Sequence, residues 1–209
     1  MRRDQYVLKN AFAQTMAPTT SPAGLNKIDL DEKRYIDENG EPQSTGLISF
    51  FNEKHISAIL CNYNGLKIET KGRFWDDFYY LMEAFDVLMK KALAQYPLYM
   101  DIVKLKFKGK QNIEIQKALE KKHNVWHSVE YISSLWRNKI PKLIAEKAKV
   151  DFLIWYYTYE HPEEAVWKKC SCCGQLKLAH NKFFSKNKTS KDGYYSLCKE
   201  CRNAKNKKK

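Results

Sequence analysis

Cysteine is nearly missing from most of this chain: before Cys170 only Cys61 occurs, and the other five of the six cysteines fall between Cys170 and Cys201. That crowding into paired C-x-x-C spacing argues against a disulfide framework and suits metal thiolates in a reducing compartment. Long apolar runs are absent too. No stretch approaches the roughly 20 residues that span a bilayer, and Met1-Arg2-Arg3 leads into Asp4 and Gln5 instead of an apolar signal core. A soluble, intracellular protein without a membrane partner is expected. Histidine is scarce, with five residues at 55, 123, 127, 161 and 180.

What is present is a core-forming composition carrying a large positive charge. The 209 residues are 44% hydrophobic and 13% aromatic, enough to bury a core in one large domain or two small ones. The formal charge is +13, which favours a polyanion such as nucleic acid. It is unevenly placed. Residues 101–149 hold 12 basic and 5 acidic side chains, a net +7, and residues 168–209 hold 13 and 2, a net +11. Residues 1–100 sum to −1 and residues 150–167 to −4.

Residues 1–46 read as a flexible leader, because 13–26 carry two prolines, a glycine and small polar residues without apolar periodicity. A helical domain is expected over 47–150. Phe51, His55, Ile59 and Leu60 fall at helical spacing, with Asn64-Gly65 as a stop. Trp75 to about Gln95 forms a second helix that Pro97 ends, its aromatic stripe of Trp75, Phe78, Tyr79 and Phe85 belonging to the core. A third runs from Tyr99 to Lys108, closed by Gly109.

Asn112 can cap a short helix from Ile113 to about Lys121. The turn KKHNVWH follows, and Ser128 caps a helix to about Lys149 whose buried seam is Val129, Ile132, Trp136, Ile140 and Leu143. The outward face offers Ser128, Glu130, Tyr131, Ser133, Ser134, Arg137 and Asn138, with Lys139 and Lys142 further along. That mix suits base edges and phosphates in a major groove. Pro141 interrupts this helix and should kink it. With the preceding helix these elements make a trihelical helix-turn-helix over 99–149.

The segment YPLYMDIVKLKFKGKQNIEIQKALEKKHNVWHSVEYISSLWRNKIPKLIAE resembles region 4 of bacterial sigma factors. With HISAILCNYNGLK and DDFYYLMEAFDVLMKKA before it, the chain looks like sigma-like proteins of Gram-positive phages and mobile elements over roughly 55–149. The resemblance implies recognition of double-stranded DNA through the helix from Ser128, at a promoter and alongside RNA polymerase in the cytoplasm of a bacterial host. No segment resembles the region that binds the −10 element or the polymerase clamp, so a complete promoter-opening factor is not expected.

After an aromatic linker over 151–167, residues 168–209 form a finger with a basic tail. Cys170, Cys173, Cys198 and Cys201 supply four thiolates for one tetrahedral structural zinc. A two-residue spacing lets one tight turn present both sulfurs about 2.3 Å from the ion. Cys172, inside the first pair, is a non-ligand, and His180 reads as a surface or supporting histidine. Phe183 and Phe184 can cover the metal, followed by a turn at Asp192-Gly193. Four thiolates and one divalent ion leave about +9 on this block. Lys186, Lys188, Lys191 and Arg202 are its candidate phosphate contacts.

The string CSCCGQLKLAHNKFFSKNKTSKDGYYSLCKECRN looks like the treble-clef-type finger of phage proteins, including those that precede a nuclease module in recombination endonucleases. A nuclease of the histidine-asparagine-histidine type needs a general-base histidine beside further metal ligands. None follows Cys201, so the chain is not expected to be an enzyme. The sequence thus predicts a mainly α fold, a helix-turn-helix domain followed by a zinc-bound β-hairpin/helix finger, acting in transcription regulation. The alternatives are a small terminase-like DNA-packaging subunit and a non-catalytic accessory of a nuclease.

Overall fold

The computed structural model describes residues 33–46, 48–72 and 77–206. It is mainly helical, with three small two-stranded antiparallel sheets. Two compact units divide it, Met1–Lys149 and Val150–Lys209.

A hairpin opens the first unit. Strands β1 (Lys33–Ile36) and β2 (Pro42–Thr45) pair with Lys33 opposite Thr45 and Ile36 opposite Pro42. Asp37 builds the turn: its carboxylate accepts the N–H groups of Asn39 and Glu41, each at 2.9 Å, and the Nε2 of Gln43 at 2.8 Å. These donors, the Glu41 N–H first, hold the Asp37 carboxyl below its ordinary value. The expectation of a flexible leader to residue 46 is therefore wrong for 33–46. A short polar side chain that bonds its own turn supplies the order that apolar periodicity does not. Residues 1–32 lie outside the described residues.

Helix α1 (Glu53–Thr70) is capped by Asn52, whose side chain accepts from the Lys54 N–H. It continues through Asn64-Gly65, where a stop was expected. Asn64 Nδ2 donates to the Phe107 carbonyl at 2.7 Å, and Tyr63 stacks on Phe107 with ring centroids 3.8 Å apart. These tertiary contacts outweigh the glycine's cost of about 1 kcal/mol. Helix α2 (Asp77–Leu93) buries Met82, Phe85, Leu88 and Leu93, and it is tied to α1 through Lys67, which bridges Glu83 at 2.6 Å and Asp86 at 2.8 Å. Trp75 falls outside the described residues.

Pro97 opens helix α3 (Pro97–Phe107), where its missing N–H costs nothing. Helix α4 (Asn112–His123) begins one residue earlier than expected and is capped by Gln111, whose N–H donates to Glu114 at 2.8 Å. Asn112 is thus not the cap. Asn124, in the left-handed region at φ 53°, ends the helix, so the turn to Ser128 is shorter than KKHNVWH suggested. Ser128 does cap helix α5 (Val129–Ser134): its Oγ accepts the Tyr131 N–H at 3.1 Å.

The seam of this helical run departs from expectation. Ile132, Leu135, Ile140 and Ile144 are buried, whereas Trp136, Leu143 and Val129 are only half-buried. Five residues separate Leu135 from Ile140, and at 3.6 residues per turn these side chains would point about 140° apart. A π-helical segment, Leu135–Lys139, absorbs the mismatch, and the Ile140 N–H donates to the Leu135 carbonyl. Pro141 makes this register inexpensive, because in an α-helix the Arg137 carbonyl would have met a residue with no N–H. The proline that was expected to kink the helix follows a wider turn. Helix α6 (Ile140–Trp155) continues the run and contains the boundary between the two units.

In the second unit the run continues through the π-helical Tyr156–Glu160 to the 3-10 turn Pro162–Glu164. The expected linker over 151–167 is thus helical to Glu160. Its aromatic residues pack on one another, with Phe152 5.7 Å from Trp155 and 5.8 Å from Tyr156. Strands β3 (Trp167–Lys169) and β4 (Leu176–Leu178) form one hairpin and β5 (Phe184–Lys186) and β6 (Tyr194–Cys198) another, before helix α7 (Lys199–Asn206). Among the described residues no helix is long and apolar enough to cross a membrane.

Candidate metal centre and nucleic-acid interface

The second unit brings together Cys170, Cys173, Cys198 and Cys201, whose sulfur atoms all lie within 4.8 Å of one another. A tetrahedron with metal–sulfur bonds of about 2.3 Å has sulfur–sulfur edges of about 3.8 Å, so this set can hold one metal ion with little movement. The first pair sits in the turn between β3 and β4. There the Gly174 N–H donates to the Cys170 carbonyl at 2.9 Å, and the φ of +69° at Gly174 is a conformation that favours glycine. The second pair spans the end of β6 and the first turn of α7.

Backbone donors prepare the sulfurs. Cys170 Sγ accepts N–H groups from Cys198 at 3.3 Å and Cys172 at 3.5 Å. These bonds, that from Cys198 foremost, lower the Cys170 thiol to about 6. Cys201 moves upward because its thiol hydrogen-bonds to Cys198 and is partly desolvated. Four sulfurs this close cannot all ionise without a cation among them.

Packing fixes the same geometry. Phe184 is fully buried with Cys170 and Cys198, and Phe183 and Tyr194 pack against that cluster. Lys168 closes one side by binding Asp192 Oδ2 at 2.6 Å, donating to the Tyr194 carbonyl at 2.7 Å and lying 5.5 Å from the Phe184 ring centroid. The ammonium of Lys168 holds the Asp192 carboxyl well below the usual carboxylate range. On another side Lys177 of β4 binds Glu200 of α7 at 2.6 Å. Sequence reasoning missed both lysine pairs, since a lysine in a basic block gives no sign that it faces inward.

Of the two places expected for His180, surface or supporting, the surface one is excluded: His180 is buried, and it is not among the four close cysteines. Its Nδ1 accepts the Lys182 N–H, and its carbonyl accepts the N–H groups of Phe183 and Phe184. It shapes the turn that delivers Phe184. Cys172 is exposed and outside the mutually close set. Lys186, Lys188, Lys191 and Arg202 are exposed, and the Arg202 guanidinium lies 5.0 Å from the Tyr195 ring centroid.

In the first unit, α5 and the π segment place Glu130, Tyr131, Ser134, Arg137, Asn138 and Lys139 on an exposed surface, with Lys142 beyond them. Ser128, Ser133 and Asn112 are half-buried. His127 stacks on Tyr131 with centroids 5.1 Å apart, which stiffens the start of this face. Trp126 in the preceding turn is 63% exposed. Lys122 and His123 are committed elsewhere, both to Asp101 of α3. No family model, no curated protein and no solved structure matches the chain.

Proposed function

We propose that the chain is a double-stranded-DNA-binding protein, a transcription regulator of a phage or mobile element. In this reading α4 and α5 act as a helix-turn-helix, and a structural zinc ion held by Cys170, Cys173, Cys198 and Cys201 builds a basic finger that adds phosphate contacts. The observation that carries it is the exposed row Glu130, Tyr131, Ser134, Arg137, Asn138 and Lys139 on a capped helix anchored by Ile132, Leu135 and Ile140. Such a helix has the side chains and the rigid base that major-groove readout needs.

Two further features support the reading. The net charges of +7 over residues 101–149 and +11 over 168–209 suit a phosphate backbone. An all-thiolate set is the donor chemistry that a structural zinc site uses, and four thiolates on one tetrahedral ion leave no open position for catalysis.

Selection of bound duplexes from a random DNA pool, with and without a chelator, tests the proposal. A sequence enriched in both conditions assigns base reading to the helices and phosphate contact to the finger. Salt-sensitive bulk binding with no enriched sequence removes the base-reading role of Arg137 and its neighbours. The absence of any binding removes the proposal.

A further inference from the structure

His161 ends the helical run of the second unit, and the 3-10 turn Pro162–Glu164 that follows it carries Glu163 and Glu164. One imidazole nitrogen, Nδ1, lies 3.3 Å from Glu163 Oε1 and 3.6 Å from Glu164 Oε1. The ligand atoms of all three residues lie within 4.8 Å of one another. The backbone holds this arrangement: the His161 N–H donates to the Tyr156 carbonyl at 2.9 Å, and the His161 carbonyl accepts the Glu164 N–H at 3.2 Å. Pro162 fixes φ at the first position of the turn. The half-buried imidazole also stacks on the Tyr156 ring with centroids 4.5 Å apart, which sets its plane.

Direct pairing of histidine with carboxylate accounts poorly for these separations. His123 Nε2, which does pair with a carboxylate, lies 2.8 Å from Asp101. A separation of 3.6 Å is too long for a hydrogen bond, and one imidazole N–H cannot serve two carboxylates at once. Ligand atoms about 2.1 Å from a common ion stand about 3.0 Å apart in an octahedral site and about 3.4 Å apart in a tetrahedral one, close to the separations at Nδ1. Neither glutamate meets a lysine or arginine among the described residues, whereas Glu83, Glu114 and Glu200 each bind a lysine at 2.7 Å or less. Two carboxylates turned toward one imidazole, in a stretch (150–167) of net charge −4, are stabilised by a cation among them.

From this arrangement we infer that His161, Glu163 and Glu164 bind one divalent first-row transition-metal ion at a site separate from the four cysteines. Imidazole and carboxylate together suit ions of borderline softness, in contrast to the all-thiolate set. Three protein ligands leave at least one coordination position to water, and both glutamates are exposed. The ion therefore exchanges with solvent and washes out on desalting, unlike one enclosed by four thiolates. When bound it ties the end of the helical run to the turn that leads into β3, and its charge of +2 offsets half of the −4 on residues 150–167. The site needs no DNA.

Titration of the full-length zinc-loaded chain with Co2+, followed by calorimetry and absorption, tests this site. One Co2+ per chain is expected to bind without the intense absorption of a cobalt–thiolate bond. His161→Ala and the double variant Glu163→Gln, Glu164→Gln are each expected to weaken that binding at least tenfold. Glu160→Gln removes an exposed carboxylate of the same acidic stretch that lies outside the close set, and it keeps the wild-type affinity. Independently of any variant, paramagnetic Co2+ is expected to shift or broaden the amide signals of residues 156–166 in the wild-type chain ahead of all others.

Absence of Co2+ binding, binding that brings thiolate absorption with it, or signals perturbed first elsewhere in the chain overturns the site. So does an unchanged affinity in His161→Ala, or an equal loss in Glu160→Gln, which would reduce the effect to the general charge of the stretch.

Discussion

Asp101 of α3 lies 2.8 Å from Nε2 of His123 at the end of α4, and its other oxygen holds Lys122 Nζ at 2.7 Å. Burial raises the Asp101 carboxyl, but Lys122 and His123 outweigh it and the net shift is downward. A carboxyl lowered on folding contributes stability above its ordinary value of 3.8, and that contribution is lost as pH falls through the lowered value. Asp101→Asn is therefore expected to cost about 1–3 kcal/mol near neutral pH, measured by urea unfolding. It should also remove part of the acid-induced loss of stability that the wild type shows below pH 4.

One zinc ion per chain is expected by elemental analysis. Cys198→Ser should abolish it, while Cys172→Ser, which changes an exposed thiol outside the close set, should retain it. Because the ion displaces protons from thiols, affinity measured against a competing chelator falls as the pH drops from 8 to 5. A pH-independent affinity would contradict thiolate ligation.

Arg137→Ala and Lys142→Ala should weaken DNA binding differently. The first is expected to cost about 1–3 kcal/mol at a selected site and to relax sequence preference. The second should weaken all sequences alike and flatten the salt dependence by about one phosphate. Equal behaviour of the two variants in a fluorescence-anisotropy titration against matched and scrambled duplexes would show that the helix does not read bases.

Leu135→Ala is expected to destabilise the helical unit by about 2–5 kcal/mol, and Leu143→Ala by clearly less, since Leu135 is buried and Leu143 only half-buried. Thermal unfolding of both variants checks the order. The reverse order would restore the seam that an uninterrupted α-helix requires.

The close set of four cysteines could be read from spacing alone, because two C-x-x-C pairs bring their own geometry with them. Helix existence was likewise readable where apolar residues repeat at three and four, as in Met82, Phe85, Leu88 and Met89. What escaped was order built by polar atoms and by compensation. Asp37 organises a hairpin whose residues show no apolar alternation, and tertiary contacts at Asn64 carry α1 past Gly65. Trp136 and Leu143 fit an ideal helical period better than Leu135 and Ile144 do, so the seam was misassigned where the period itself changes. The contacts of Lys168 and Lys177 depend on which way each lysine points, and charge counting treats both alike.

The π turn also makes the helical run longer by one residue than its packing demands. Removing a single residue between 135 and 140 would leave Leu135 and Ile140 at the four-residue interval of an ordinary helix, so the core is expected to tolerate a deletion that would elsewhere rotate every downstream side chain. The surplus residue falls among Arg137, Asn138 and Lys139, all exposed. A one-residue deletion there is thus expected to shorten the outward row while leaving the hydrophobic seam in register.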